Sequence, residues 1–387
     1  MQYRMDNVTG NKLSALGLGC MRFPRDKAEC ERMILTAIEG GVNFFDTAYI
    51  YPNSEKTLGE ILAKNNVRKE IYLSTKLPFL KCKKYEDFDR FFDEQLKRLQ
   101  TDYIDYYFLH NVTGATQWKL YKEMGIERWI SEKKASGKIK QIGFSYHGIS
   151  DDFIQIIDDY SWDFCMIQYN YADENYQAGK MGLKAAAAKG IPVIVMEPLL
   201  GGRLATGLPK QAVQLFAKYD KERTPAEWAL RWLWNQEEVT VVLSGMSSEQ
   251  IMKTNLDSLD RFTSLTEEEL ALYDEVIEEF KKAYKIKCTA CNYCLPCPKG
   301  INIPACFSAY NNSYSQGFVT GMTLYLTSTS AMSEKRNSPN VCTQCGVCER
   351  NCPQNIGIRG DLKLVTKRFE SLPLRIGLNV ARKVLTK

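Results

Sequence analysis

The sequence predicts an α/β protein: eight strand–helix units closed into a barrel, followed by a small cysteine-rich domain. Three observations carry this. Short apolar runs alternate with longer amphipathic segments through the first 285 residues. Near-continuous apolar strands of this kind read as parallel strands covered by helices. Eight units in roughly 260 residues match one closed barrel. Beyond them, nine of the thirteen cysteines crowd between Cys288 and Cys352.

The eight expected strands are Leu16–Cys20, Val42–Phe45, Ile71–Thr75, Ile104–Leu109, Ile139–Phe144, Cys165–Gln168, Pro192–Met196 and Val239–Leu243. Between them fall expected helices at Ala28–Glu39, Glu55–Lys64, Tyr85–Arg98, Leu120–Ser136, Ser150–Asp158, Tyr176–Lys189, Pro225–Asn235 and Ser248–Leu256. A further helix, Thr266–Tyr284, opens on Thr266-Glu267-Glu268-Glu269, a capping box. An open doubly wound sheet is disfavoured. Its first strand is usually followed by a glycine-rich phosphate loop, and Gly17-Leu18-Gly19-Cys20-Met21-Arg22 lacks that spacing. The fold expected is therefore a TIM (β/α)8 barrel.

Composition narrows the class. Of 387 residues, 44% are hydrophobic and 25% charged, ordinary globular values that exclude a disordered or fibrous chain. No apolar run is long enough to cross a bilayer, and Met1-Gln2-Tyr3-Arg4 opens no secretory signal. The expectation is a cytoplasmic protein, where disulfides do not account for thirteen cysteines. Expected domains are 1–285 (the barrel), 286–357 (the cysteine-rich domain) and 358–387 (a basic tail). The tail holds Arg359, Lys363, Lys367, Arg368, Arg375, Arg382, Lys383 and Lys387 against Asp361 and Glu370. It reads as a solvated helical face, or as a surface for an acidic protein or a membrane. Nucleic acid is not expected among the partners.

In a barrel of this kind chemistry sits at the carboxyl ends of the strands. Strand two ends on Asp46, with Tyr51 five residues beyond; strand three ends on Lys76 and strand four on His110. A lysine beside an aspartate lowers the pKa of a neighbouring phenol, which then donates a proton to a carbonyl oxygen. The histidine orients that carbonyl or shares the proton. The plainer reading of Asp46 and Lys76 is a buried ion pair.

Asp46-Thr47-Ala48 followed by Tyr51, then Lys76 and His110, resembles the catalytic tetrad of the aldo-keto reductase superfamily. Gly143-Phe144-Ser145, Gln168-Tyr169-Asn170, Glu197-Pro198-Leu199 and Ser244-Gly245-Met246 resemble that family as well, over about residues 3–260. The resemblance implies an oxidoreductase taking hydride from NAD(P)H, with Tyr51 as general acid, Asp46 and Lys76 tuning it and His110 orienting substrate. It further implies that Ser145, Gln168 and Asn170 lie at the carboxamide, and Tyr169 near the nicotinamide ring. Gly201, Gly202 and Leu204 would follow the pyrophosphate. Ser244, Gly245 and Met246 would line the adenosine-phosphate end, with Gln250 and Asn255 near the adenine. The glycines read equally as tight loop positions. The sequence departs from the family at Thr254, where Glu is usual. It also lacks the Lys or Arg that often clamps a 2'-phosphate near Gly245 and Met246, and only Lys253 follows. Preference between NADH and NADPH stays open.

The cysteines form two runs. Cys288-Thr-Ala-Cys291-Asn-Tyr-Cys294 is followed by Cys297-Pro298, and Cys342-Thr-Gln-Cys345-Gly-Val-Cys348 by Cys352-Pro353. The second is the bacterial run for a [4Fe–4S] cluster, in which the cysteine before proline ligates the other cluster. Applied here, Cys288, Cys291, Cys294 and Cys352 would hold one cluster. Cys342, Cys345, Cys348 and Cys297 would hold the other, with Cys306 the substitute for Cys297. Zinc needs only two pairs per site and leaves each third cysteine and the paired Cys-Pro without a role. The module resembles the two-cluster, ferredoxin-like domain that follows the barrel in some aldo-keto reductases of anaerobes. The insertion Ile301–Val341 reads as polar and tyrosine-bearing.

Three functions are compatible with this combination. One is an NAD(P)H-dependent reductase of a small carbonyl, or oxidase of the alcohol, with structural or sensing clusters. Another is an enzyme fed by ferredoxin or another redox protein through its clusters. A flavin is the usual adapter between one-electron and two-electron carriers, and barrel flavin sites have no short signature. The third is an electron-transfer subunit with a silent barrel, which the complete tetrad disfavours. Arg22, Phe23, Tyr49, Phe79, Trp118, Tyr146 and His147 are candidate mouth residues. They suggest a flat or apolar substrate, or merely close the rim.

Overall fold

A computed structural model describes residues 1–328 and 338–371. The tail's Arg375, Arg382, Lys383 and Lys387, and part of the Ile301–Val341 insertion, lie outside the described residues. The chain forms two compact units, Met1–Pro198 with Ala229–Leu265, and Leu199–Trp228 with Thr266 onward.

The first unit is a closed eight-stranded parallel barrel. An antiparallel hairpin, β1 (Tyr3–Met5) and β2 (Lys12–Ser14), precedes it and was not expected from the sequence, since three-residue strands carry no readable period. The staves are β3 (Leu16–Gly19), β4 (Phe44–Asp46), β5 (Tyr72–Leu77), β6 (Ile104–Val112), β7 (Ile139–Tyr146), β8 (Phe164–Gln168), β9 (Val193–Met196) and β10 (Val239–Ser244). All eight expected apolar runs are strands, and β10 pairs with β3 to close the ring. The interior is filled by Leu13, Phe44, Tyr106, Phe108, Phe164, Met166, Ile194, Val241 and Leu243. The hairpin seals the end where the strands begin: Leu13 enters this cluster, and Tyr106 donates to Asp6 Oδ2 at 2.6 Å.

The helices are α1 (Lys27–Glu39), α2 (Ser54–Lys64), α3 (Glu86–Leu99), α4 (Ala115–Glu123), α5 (Ile126–Ala135), α6 (Ser150–Asp159), α7 (Gly179–Ala188), α8 (Lys210–Tyr219), α9 (Pro225–Trp234), α10 (Glu249–Asp260) and α11 (Glu267–Ala283). The single helix expected over Leu120–Ser136 is two, α4 and α5. Gly125 at φ 86° breaks the ladder between them, a conformation no helix interior contains. Helix α8 was also unforeseen. The Thr266–Glu269 capping box is present on α11.

In the second unit follow α12 (Ile303–Ser315), α13 (Phe318–Ser328), α14 (Val347–Arg350) and α15 (Ile358–Phe369). Where the sequence predicts a ferredoxin-like domain, the described residues are mostly helical and none lies in a strand. One apolar cluster underlies its C-terminal part: Ile286, Ile303, Cys306, Phe307, Ile358, Leu362, Val365 and Phe369 are all buried in it. The first part of the basic tail is thus an amphipathic helix with its apolar stripe inward. Phe216 of α8 stacks on Trp228 at 4.9 Å and meets Tyr273 of α11 edge-on at 5.8 Å. Among the described residues no helix is long and apolar enough to cross a membrane.

Candidate active site and cysteine sites

Strand register brings the first four candidates together. Asp46 ends β4 opposite Ser74 of β5, and Lys76 stands two residues further along β5. Both carboxylate oxygens of Asp46 lie 2.5 Å from Lys76 Nζ, and Ser74 Oγ donates to Oδ1 at 2.7 Å. Lys76 also donates to the Thr47 carbonyl at 2.8 Å. Both side chains are buried. Burial pushes the Lys76 ammonium below its ordinary value and the Asp46 carboxyl above its own, and each charge opposes the other's shift. Lys76 Nζ stands 5.2 Å from the centre of the half-buried Tyr51 ring. The Tyr51 and His110 rings meet edge-on with centroids 6.1 Å apart.

His110 is aimed by a bulge. The β6–β7 register slips between Leu109 and Val112, and Asn111 takes φ 62°. Such a bulge re-aims a side chain at a barrel rim. Ser145 Oγ locks it by accepting the Asn111 N–H at 2.8 Å. Burial, then the Lys76 charge, then His147, hold the His110 imidazolium far below its usual pKa, so the ring is neutral.

Sequence reasoning missed the support beneath Lys76. Buried Glu55 of α2 accepts from Thr75 Oγ1 and Gln95 Nε2, both at 2.6 Å, and from Arg98 at 3.1 Å. Gln95 also donates to the Lys76 carbonyl at 3.1 Å, and Tyr107 donates to Gln95 at 2.7 Å. The available signal was a polar Gln on the apolar stripe of α3.

The remaining candidates are distributed as follows. Gln168 ends β8 and is buried. Tyr169 is fully buried, its ring 5.1 Å from Trp232 and its hydroxyl 3.3 Å from Glu174. Asn170 Oδ1 accepts the N–H groups of Ala172 and Asp173 at 3.1 and 3.0 Å, and Nδ2 reaches the Glu197 carbonyl at 3.4 Å. Ser244 Oγ accepts from Asn255 at 3.2 Å; Met246 is buried, while Gly245 and Gln250 are exposed. A Cβ on Gly245 would meet only the Gly19 carbonyl, at 4.0 Å. Lys253 pairs with Glu249 at 2.6 Å, and Arg32 approaches the same carboxylate at 3.5 Å. Of the mouth residues, Trp118 and Tyr146 are buried wall. They donate to Asp159 at 2.6 Å and to the Ile149 carbonyl at 2.7 Å.

Gly201, Gly202 and Leu204 belong to the second unit, on the loop that leaves β9. The glycines take φ 65° and 92°, and Leu204 is buried.

The cysteines of the two runs fall into two groups. A small pocket is lined by Cys297, Cys342, Cys345 and Cys348, with Lys299 and Arg359 at its wall. Cys294 feels the charges of Cys288, Cys291 and Cys352, which together with its burial raise its pKa. Cys306 is buried on α12 and does not line the cavity. Among the described residues, no three or more His, Cys, Asp or Glu converge on a point that would hold a metal ion. A single ion draws thiolates to about 2.3 Å, whereas a cubane meets them around a cavity wall. The loops match in backbone too. Positive φ occurs at Ala290 and Asn292 in one, and at Gln344 and Gly346 in the other. Left-handed turns of this sort aim successive N–H groups inward, as at anion and iron–sulfur sites.

The profile of the aldo/keto reductase family matches residues 15–278. The chain belongs to that family. It is an oxidoreductase, and its barrel is fused to a segment, residues 287–357, that matches the 4Fe-4S dicluster domain. An aldo-keto reductase of Mycolicibacterium vanbaalenii is 30% identical over 69% of this chain and 90% of its own. Morphine 6-dehydrogenase of Pseudomonas putida is 30% identical over 69% of this chain and 88% of its own. A solved aldo-keto reductase of Bacillus halodurans, in its holo form, superposes with a TM-score of 0.61 at 25% identity. It covers 71% of this chain and 96% of that one.

Proposed function

We propose that this aldo-keto reductase reduces a small carbonyl compound to the alcohol, or runs the reverse reaction, with Tyr51 as the proton donor. The observation that carries the reading is the Asp46–Lys76–Tyr51–His110 constellation. NAD(P)H, when bound, supplies hydride to the carbonyl carbon. Tyr51 gives its proton to the carbonyl oxygen as the C–H bond forms. Lys76, held by Asp46 and the Thr47 carbonyl, keeps positive charge beside the phenol and stabilises the phenolate left behind. Neutral His110 orients the carbonyl through a ring nitrogen. The open space beside Gly245 suits close approach of a dinucleotide backbone.

The cysteine loops fit two [4Fe–4S] clusters. Cys288, Cys291, Cys294 and Cys352 would hold one, and Cys297, Cys342, Cys345 and Cys348 the other. The paired left-handed turns, and the pocket that Cys297 shares with Cys342, Cys345 and Cys348, support this assignment. One feature favours a second reading, in which ferredoxin or a similar carrier feeds the clusters and a flavin adapts one-electron to two-electron transfer. Cys345 is exposed, so a partner reaches that set directly.

The test is turnover of anaerobically purified protein on a panel of aldehydes and ketones, followed as NADH or NADPH oxidation, and in parallel with reduced ferredoxin alone. Dinucleotide-driven reduction that disappears in Tyr51→Phe supports the first reading. Product from ferredoxin alone, with none from either dinucleotide, replaces it with the second.

A further inference from the structure

The loop that leaves β9 is built into the second unit rather than the first. Its tightest contact is backbone on backbone. Gly201 holds φ 65°, and a Cβ added there would fall 2.2 Å from the Thr289 carbonyl oxygen and 3.0 Å from its Cα. No side chain fits. Thr289 is buried and stands directly after Cys288, inside the first Cys-x-x-Cys turn. Tyr284 donates its hydroxyl to the Cys288 carbonyl at 3.0 Å, and the Arg203 guanidinium lies 6.0 Å from the centre of the Tyr284 ring. Leu200 and Leu204 are buried, and Gln316 of α12 donates to the Leu208 carbonyl at 3.3 Å. The segment carrying Gly201, Gly202 and Leu204 therefore leans on the cysteine turn 288–291. That turn has a left-handed alanine, Ala290, a shape L-residues disfavour.

We propose that the Cys288–Cys291 turn is a positioning element for the dinucleotide. Ligated, it sets Gly201 and Arg203 in the conformation that receives the pyrophosphate; unligated, it releases them and dinucleotide affinity falls. The inference deepens the functional reading above and rests on both its dinucleotide and its cluster assignments. Thr289 acts through its carbonyl and Tyr284 through its hydrogen bond to Cys288, so neither is a catalytic residue. Coupling between two sites is reciprocal in binding free energy. Bound dinucleotide should therefore protect the Cys288, Cys291, Cys294 and Cys352 set against loss of iron.

The experiment compares the full chain, purified anaerobically, with Cys291→Ser, Cys345→Ser and Tyr284→Phe. NADH and NADPH binding is titrated by fluorescence, iron and sulfide are counted on the same samples, and circular dichroism reports folding. Cys291→Ser should weaken binding roughly 5- to 150-fold, the span of ordinary coupling between sites. Cys345→Ser should lose about as much iron and bind like the parent. Tyr284→Phe should keep its iron yet bind more weakly, a result that loss of fold does not produce. In the parent, NADPH or NADH should slow iron release to a chelator. Equal affinity in the parent and a folded Cys291→Ser would overturn the inference alone, as would equal weakening in Cys345→Ser. A parent that binds neither dinucleotide would overturn the functional reading and this inference together.

Discussion

Ala290 and Gln344 hold the same left-handed backbone, φ 55° and 60°, each one residue ahead of the middle cysteine of its run. Asn292 and Gly346 repeat the match one residue after it, at 69° and 74°. Glycine takes this conformation without strain, asparagine tolerates it, and alanine and glutamine do not favour it. Both loops therefore share one backbone hand on either side of their middle cysteine.

Ala290→Gly should leave iron content unchanged and stabilise the holoprotein by up to about 1 kcal/mol in denaturant unfolding. Ala290→Val should cost about half of the iron. Full iron in the valine variant would mean that the turn does not depend on its backbone hand.

Anaerobic purification should yield about eight irons and eight acid-labile sulfides per chain. Cys297→Ser should remove about half, because Cys297 shares its cavity with Cys342, Cys345 and Cys348. Cys306→Ser should be silent, because that thiol does not line the pocket. Two zincs without sulfide would refute the assignment, and the reverse pattern between the two variants would exchange the fourth ligand.

Lys76→Met should lower turnover by roughly 10²- to 10⁴-fold, the span of general acid catalysis. It should also destabilise the barrel, because Asp46 is left as an uncompensated buried carboxylate. Asp46→Asn with Lys76→Met should recover stability and not turnover. Recovery of turnover would separate the lysine from proton donation.

Acid should destabilise the barrel through its histidines. Burial holds His147 down at about 4 and His110 well below its usual value. The folded state therefore binds fewer protons than the unfolded chain, whose histidines titrate near 6.5. The stabilisation is complete above about pH 6.5 and is lost as pH falls toward 4. Chemical denaturation from pH 8 to 4 should trace this loss, and His147→Gln should flatten it. An unchanged slope in the variant would remove His147 from the account.

Glu249 engages both Lys253 and Arg32 beside the expected adenosine end. Glu249→Gln should free the two cations and remove a repulsive charge. The ratio of NADPH to NADH affinity should then rise several-fold, within the ~0.3–1 kcal/mol typical of an exposed charge at a helix start. An unchanged ratio would place the 2'-phosphate elsewhere.

The barrel was legible because each strand is an apolar run bounded by polar residues, and because Asp46, Lys76 and His110 interrupt those runs at their ends. The cysteine runs were legible because three thiols at the same spacing, followed by Cys-Pro, occur twice. Other features leave no such trace. The slip at Leu109–Val112 that aims His110 depends on Ser145, thirty-four residues beyond Asn111. The Glu55–Gln95 network under Lys76 is assembled from four elements, α2, β5, α3 and β6, by tertiary contact. Gly125 ends α4 with a backbone angle rather than a change in hydrophobic period. The helices of the second unit carry a polar, tyrosine-bearing insertion whose pattern did not foretell them.

Leu199–Trp228 packs with residues made only after Thr266, so the second unit is discontinuous along the chain. This bears on synthesis. A ribosome finishes β10 before the partners of that loop exist, and the turn at Thr289 emerges some sixty residues after Trp228. At about 5–20 residues per second the loop waits on the order of several seconds with Leu200, Leu204 and Phe216 uncovered. A truncation after Leu265 would make that exposure permanent. A chain that stops there also lacks α11, whose Tyr273 meets Phe216, and should be a client for chaperones and proteases rather than a smaller working enzyme.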